Sequence, residues 1–317
     1  MTTRIARLIV LALVLCLALL SVTGGGQAGQ SRVSANGDDL VFPIRAAFYY
    51  PWYTGNWFDK GSCNLSVPFS CATVHQPLAG FYNQNYGKVR WDIDNMQRAK
   101  VTTGITSWHG INHRTDTAVP DMLRAAADDG GNFQWAVYYE LESGSNDPSV
   151  STLQSHLSYI RTRYANHNNY LWKAGKPVIF VFTNGGDCED LVRWRQATSN
   201  FTQWYVSPQV FGGYRTCPNQ PSTWHQYAGE PNGDRQAGFS FTIAPEVWLW
   251  FESSAKLTRD LSRFKSNIRA QVAARDPWQL IVSYNEWGES TVIEPGVHKS
   301  QGYWGNSYLD ALSTNGN

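Results

Sequence analysis

The sequence predicts an α/β fold: a single (β/α)8 barrel of the TIM type with elaborated strand-to-helix loops. Apolar, β-rich runs alternate with amphipathic stretches along the chain, as in parallel strands joined by crossover helices. The run Pro177–Phe182 (PVIFVF) has no polar interruption, the mark of a strand buried on both faces. The 317 residues accommodate one barrel of ~250 residues together with a leader. A doubly wound open sheet is the alternative. No glycine fingerprint follows the first strand, which removes the usual dinucleotide-binding form of that alternative.

The elements follow in order. Residues 1–28 read as a signal peptide: Arg4 and Arg7 precede a 13-residue apolar run, Leu8–Leu20, and small residues follow it up to Ala28. Such a run suits a signal core and is short for a membrane span; an uncleaved anchor is the alternative. Residues 29–41, rich in Gly, Ser and Gln, form a disordered leader, and the barrel domain occupies 42–317. The first strand, Ile44–Tyr50, runs into Pro51-Trp52-Tyr53, where proline cannot continue a central strand. The segment Asn56–Tyr86 has little periodicity. A helix is expected over Asp92–Lys100, with Asp92 as its cap. A second strand covers Gly104–Gly110, and a helix Asp116–Asp129 ends at Gly130-Gly131. The third strand, Phe133–Tyr139, exits at Glu140-Leu141-Glu142. A helix Val150–Tyr164, the strand Pro177–Phe182, a helix Glu189–Thr198 and a strand Gln203–Val210 come next. A short sixth strand is expected at Trp224–Tyr227, although no clear helix appears in 211–236. The seventh strand is Gly238–Ile243. The longest helix, Ser253–Ala274, carries Leu257, Leu261, Phe264, Ile268 and Val272 at helical spacing, and the eighth strand is Trp278–Ser283.

Composition narrows the function. The net charge is +1, and −1 once the leader's two arginines are removed, so nothing in the charge suggests a nucleic-acid partner. The chain is rich in aromatics, with 14 Trp, 16 Tyr and 14 Phe. Trp and Tyr stack on flat ligands while donating hydrogen bonds, which suits sugars. Export leaves Cys63, Cys71, Cys188 and Cys217 in an oxidising compartment. Of the three pairings, Cys63–Cys71 and Cys188–Cys217 are favoured. No Cys-x-x-Cys pair suggests zinc, and no cofactor is expected.

Catalytic chemistry concentrates in Ser283–Ser290 (SYNEWGES), just past the eighth strand. Catalytic groups of barrel enzymes stand at the C-terminal ends of strands. Glu286 and Glu289, three positions apart, are the candidate catalytic pair, since two carboxylates can divide acid and base work. Glu294 is read as a supporting carboxylate. The other strand exits bring Tyr50, Trp52 and Tyr53, then Trp108 and His109, then Tyr139, Glu140 and Glu142 to the same rim. Asn184, Asp187, Glu246, Trp248, Asn285 and Trp287 complete it. This aromatic bowl with carboxylates and no basic cluster fits a neutral polyhydroxylated ligand. The bland readings are rim packing for Trp52 and Trp108, a structural histidine for His109, and an ion pair for Glu140. Neither a Gly-x-Ser-x-Gly elbow nor a His-Glu-x-x-His helix is present.

These motifs resemble the glycoside hydrolase family 99 and 71-like group. The matching blocks are Tyr49-Tyr50-Pro51-Trp52-Tyr53, Gly80–Asn83 leading into Val89–Ile93, Ser107-Trp108-His109-Gly110, and Asn285–Glu289 through Ile293-Glu294-Pro295, covering roughly residues 44–310. The resemblance implies a secreted, endo-acting, retaining glycosidase on α-linked glycans, with endo-α-mannosidase as its founding activity. It implies that Glu286 is a base on the substrate's own 2-hydroxyl and that Glu289 is the general acid and base. Two positions depart: Gly288 stands where the group usually has His, and Ser290 where it has Gly. The substrate is thus a poly- or oligosaccharide, with α-1,3-glucan and other α-linked polymers beside mannans. The competing readings are a non-catalytic carbohydrate-binding barrel and a secreted esterase or lyase. No stable membrane association is expected once the leader is cleaved.

Overall fold

The computed structural model describes residues 40–54, 73–130, 132–142, 147–183 and 185–317. The expected signal peptide, nearly all of the leader, Cys63, Cys71 and Asn184 lie outside the described residues.

Eight chain segments form a ring in chain order. The strand Ile44–Tyr49 pairs in parallel with Thr103–Trp108, which pairs with Gln134–Tyr139. That strand pairs with Lys176–Val181, and Lys176–Val181 with Tyr205–Pro208. On its other side Ile44–Tyr49 pairs with Trp278–Ile281, and this with Ser240–Ile243. The open-sheet alternative fails here, because first and last strands are direct neighbours. Segment 223–227 fills the remaining gap. Thr223 N–H donates to the Val206 carbonyl (3.3 Å) and His225 N–H to that of Pro208 (3.1 Å). On the other flank the contact is a side chain: Thr242 Oγ1 donates to the Gln226 carbonyl (2.7 Å).

Rings from opposite walls meet inside the barrel. Phe48 packs against Tyr138 (4.9 Å between centroids), Tyr227 (5.0 Å) and His225 (5.7 Å). Lower down, Phe180 meets Trp278 (5.1 Å), which Phe42 covers from below (5.4 Å). Because side chains alternate across a strand, Phe48, Tyr138 and Phe180 assign the inward positions, and Tyr49, Trp108 and Tyr139 face the helices. On that outer layer Gly104 lies level with Trp135. A methyl group there would collide with the indole.

The helices differ from expectation at their starts. The first runs over Tyr86–Arg98 and is capped by Asn85, whose side chain accepts from Lys88 N–H. Asp92 is therefore not a cap. It lies buried inside the helix and accepts hydrogen bonds from the Tyr49 hydroxyl (2.7 Å) and the Tyr284 hydroxyl (2.8 Å). The second helix, Arg114–Asp128, begins two residues before Asp116 and is capped by His113. Val150–Ile160 continues as a π-turn through Ala165. Cys188–Ala197 is capped by Asp187 in a reciprocal capping box with Asp190. The longest expected helix is shorter, Leu261–Ala274, with Asp260 as its cap. The residues before it are bends and a single bridge, in which Val247 and Leu257 exchange backbone hydrogen bonds (2.9 and 3.1 Å). Leu257 has helical spacing only by coincidence. Cys188 and Cys217 form the expected disulfide, with 5.5 Å between Cα atoms. No helix among the described residues is long and apolar enough to cross a membrane.

Candidate active site

At the C-terminal rim a cleft of about 140 Å³ opens between Tyr50, Trp52, His109, Tyr138, Glu140, Phe182, Tyr227, Glu286 and Glu289. Six of these follow from the expected site: Tyr50, Trp52, His109, Glu140, Glu286 and Glu289. Tyr138, Phe182 and Tyr227 were not expected. All three are aromatic, and Tyr138 and Phe182 share inward parity with Glu140 and Phe180.

The loop carrying the two glutamates is sewn to the first strand's exit. Asn285 accepts the Tyr50 N–H at Oδ1 (2.8 Å) and donates from Nδ2 to the Tyr50 carbonyl (3.0 Å). The Tyr53 hydroxyl donates to the Asn285 carbonyl (2.5 Å) and accepts the Trp287 N–H (3.1 Å). Glu286 is buried. Its N–H donates to Ser283 Oγ (2.7 Å), and its Oε1 accepts the Gly288 N–H (3.1 Å). Glu289 is half-buried, and its Oε2 accepts from the Tyr227 hydroxyl (3.2 Å). Burial and nearby carboxylates push the Tyr227 phenol well above its ordinary value, so it remains a donor.

Glu140 faces the same space. Burial pushes its carboxyl up to about 8; the Ser107 hydroxyl pulls the other way and the Glu289 charge adds to the rise. His109 is held down at about 4 by burial and by His113, so it is neutral near pH 7. Its ring tilts against Trp52 at 5.8 Å, and Trp52 against Tyr50 at 4.6 Å.

Five expected contacts do not line the cleft. Trp108 is fully buried on the helix side, with Nε1 donating to Asp116 (2.7 Å) and its ring stacked on Tyr139 (5.6 Å). Tyr139 pairs its hydroxyl with His156 Nδ1 (2.9 Å). Trp287 turns away from the cleft: its Nε1 donates to Glu294 (2.9 Å) and its ring stacks on Trp304 (6.0 Å). Asn285 and Tyr53 act as the stitches already described. The rim carboxylates Glu142 and Asp187 lie elsewhere too. Glu142 pairs with Arg193 (2.6 Å) and Trp194 Nε1 (2.6 Å), and Asp187 caps a helix.

Two buried polar networks hold the loop that carries Glu286 and Glu289 from behind. In the first, Lys88 bridges Asp92 and Glu294 (2.9 Å to the latter), and the Tyr82 hydroxyl donates to Glu294 (2.7 Å). Burial alone would discharge this lysine, but the two carboxylates outweigh it and keep it charged. In the second, Glu246 accepts from His75 Nε2 (2.8 Å) and Arg259 Nε (2.7 Å), with His298 Nε2 at 3.4 Å. Burial alone would raise the Glu246 carboxyl; the histidine hydrogen bonds and the Arg259 charge hold it far below its ordinary range. Arg259 then grips the Ser290 and Val292 carbonyls (both 2.9 Å). His75, Glu246 and His298 have the spacing of a cation site. Their protons argue otherwise: Nδ1 of His75 accepts the Lys299 N–H (3.4 Å), and Nδ1 of His298 accepts those of Ser300 and Gln301 (3.1 and 3.0 Å). Both Nε2 atoms therefore carry hydrogen; that of His75 donates to Glu246 Oε2, and that of His298 lies 3.4 Å from Oε1. The group Glu142, Asp147 and Asp190 is likewise occupied, by Arg193. Ser290 has φ +59°, a left-handed conformation that glycine adopts without strain. Its hydroxyl donates to the Trp248 carbonyl (2.8 Å).

A parallel barrel with two carboxylates and an aromatic bowl at its C-terminal rim is the architecture glycoside hydrolases use. Within that class, the fold is similar to two structures of a GH99 endo-α-mannosidase from Bacteroides thetaiotaomicron, one in complex with Bis-Tris-propane. Each aligns with a TM-score of 0.68 at 18% identity, covering 87% of this chain and 97% of the other. A GH2 β-galacturonidase from Eisenbergiella tayi aligns more loosely, with a TM-score of 0.52 at 8% identity, covering 87% of this chain and 51% of that one. No protein-family model and no curated protein sequence matches the chain. The likeness extends the motif resemblance to the whole fold.

Proposed function

We propose that this chain is a secreted glycoside hydrolase, endo-acting and retaining on α-linked glycans. The observation that carries the reading is the cleft itself. Glu286 and Glu289 enter one space lined by uncharged aromatics and a high-pKa carboxyl, with no Lys or Arg among its lining residues. Such a site binds a neutral sugar and moves protons.

In the proposed reaction, Glu286 takes the proton of the sugar's 2-hydroxyl. O2 attacks C1, closing a 1,2-anhydro ring, while the C1–O bond to the leaving sugar breaks and Glu289 gives its proton to the departing oxygen. Glu289 then takes a proton from water as that water attacks C1. The anhydro ring opens, and O2 recovers its proton from Glu286. Two displacements at C1 retain its configuration. This differs from the common scheme in which a carboxylate ~5–5.5 Å from its partner becomes the nucleophile. The Tyr227 hydroxyl supports Glu289 once it has lost its proton.

The test is a digest of a panel of α-linked polysaccharides (mannans, α-1,3-glucan, arabinans), read by mass spectrometry, with Glu289→Gln alongside. Oligosaccharides from one polymer, absent with the variant, support the reading and identify the glycan. Hydrolysis that survives in Glu289→Gln removes that residue from its role. Binding without any product would replace the proposal by a carbohydrate-binding barrel.

A further inference from the structure

We propose that Trp250 and Phe251 form an aromatic ledge that holds the glycan chain on the leaving-group side of the scissile bond. The inference rests on the glycosidase reading and specifies its substrate: a polymer extending beyond the cleft, not a short glycoside.

Space supplies the first part of the argument. A cleft of about 140 Å³ is well under the ~300–1,000 Å³ of a site that encloses a drug-sized ligand. It has room for about one sugar unit, so an oligosaccharide must lie over the rim.

Exposure supplies the second. Nearly all tryptophans among the described residues are buried or half-buried, but Trp250 is 39% exposed and Phe251 66% exposed. Trp91, the other exposed tryptophan among the described residues, covers the Lys88 ammonium at 4.7 Å. Trp250 and Phe251 instead meet each other edge to face (5.6 Å, 90°) and turn their remaining surface to solvent. Paired exposed rings are a recognition surface more than a packing one.

Attachment supplies the third and selects the occupant. The Trp248 N–H donates to the Glu289 carbonyl (2.8 Å), and the Trp250 N–H to the Gly288 carbonyl (2.9 Å). The ledge is thus bonded through the backbone to the residue that protonates the leaving oxygen. Its own turn is closed by Trp248 Nε1 to the Glu252 carbonyl (3.0 Å), by Glu252 N–H to the Leu249 carbonyl (2.9 Å), and by Ser290 Oγ to the Trp248 carbonyl. A platform held this firmly binds with little ordering cost.

The experiment compares wild type with Trp250→Ala/Phe251→Ala on two substrates: the polymer identified in the digest, and an aryl glycoside whose small aglycone ends inside the cleft. The ratio of kcat/KM on polymer to kcat/KM on aryl glycoside falls about tenfold, equivalent to about 1.4 kcal/mol, mainly through KM, and Trp250→Tyr restores most of it. An unchanged ratio overturns the inference. Binding of the polymer to the Glu289→Gln protein, followed by tryptophan fluorescence, gives a readout independent of turnover. Quenching that disappears with Trp250→Ala/Phe251→Ala supports the ledge even if no hydrolysis is found, whereas quenching that persists overturns it. A wild type that neither cleaves nor binds any polymer removes both this inference and the function beneath it.

Discussion

Replacing Lys88 by Met tests the first network under the loop that carries Glu286 and Glu289. The side chain of Lys88 is only 9% exposed, and those of Asp92 and Glu294 not at all. Met keeps the aliphatic stem and removes only the ammonium, which lies over the rings of Tyr82 (4.1 Å) and Trp91 (4.7 Å). Two buried carboxylates then face each other uncompensated. Breaking a buried ion pair by deleting one partner costs about 3–5 kcal/mol. At about 2–4 °C per kcal/mol for a domain of this size, Tm falls by roughly 6–20 °C at pH 8. The pH dependence carries the sharper test. Burial already raises the Glu294 carboxyl, with Lys88 opposing the rise; without Lys88 it rises further. A carboxyl whose folded pKa lies above its unfolded one contributes stability that is present at low pH and lost as pH rises through the folded value. The variant therefore loses least toward the acid end of the range, where protonation of Glu294 is favoured, and most near pH 8. The assay is thermal unfolding by circular dichroism from pH 5 to 8 for both proteins. A Tm loss below ~3 °C, or one independent of pH, would refute the reasoning.

Glu140→Gln keeps a neutral donor in the cleft at every pH. The wild-type rate is expected to fall as pH rises through about 8, where Glu140 ionises beside Glu289; Gln removes that alkaline limb and retains kcat at pH 6–7 within a few-fold. A pH–rate profile checks this, and a limb that persists in the variant sinks the role. Removing the Cys188–Cys217 bond by a double Ser substitution frees a loop with a sequence separation of 29 residues. Loop entropy sets the cost at about 3–4 kcal/mol, measurable as a lower urea midpoint at unchanged slope.

The barrel was legible because its signals are local. An apolar run such as Pro177–Phe182 and glutamates just past Trp278–Ile281 need no distant information to be read. The disulfide was legible for a similar reason, since 188 and 217 flank neighbouring loops. Inward and outward faces were not. Trp108 and Tyr138 are equally aromatic and equally close to strand ends, and only the register, Ser107 beside Tyr138 and Trp108 beside Tyr139, shows which of them reaches the cleft. Asp92 looked like a cap because capping is a local pattern. Its partners Tyr49 and Tyr284 lie 43 and 192 residues away. Tyr227 was hidden by the irregular segment before it, and the extent of the last long helix by the accident of Leu257. The candidate pair was visible, but the networks that hold its loop depend on Lys88, Glu246, His75 and Arg259, which only the fold assembles.

Seven junctions of the ring are backbone ladders or backbone bonds; at the eighth the outer edge of Ser240–Ile243 pairs with the antiparallel strand Asp234–Gln236, and its bond to segment 223–227 is one hydroxyl, Thr242 to Gln226. On heating, a cylinder with such a seam opens along it before its staves part. Tyr227 stands next to Gln226 and holds Glu289. The first fluctuation of the barrel wall is therefore expected to reach the cleft and Glu289 while the hydrophobic interior is still intact. Heat is expected to silence the site some degrees before it melts the fold, and side chains that knit this seam more densely would extend the working temperature without adding to the core.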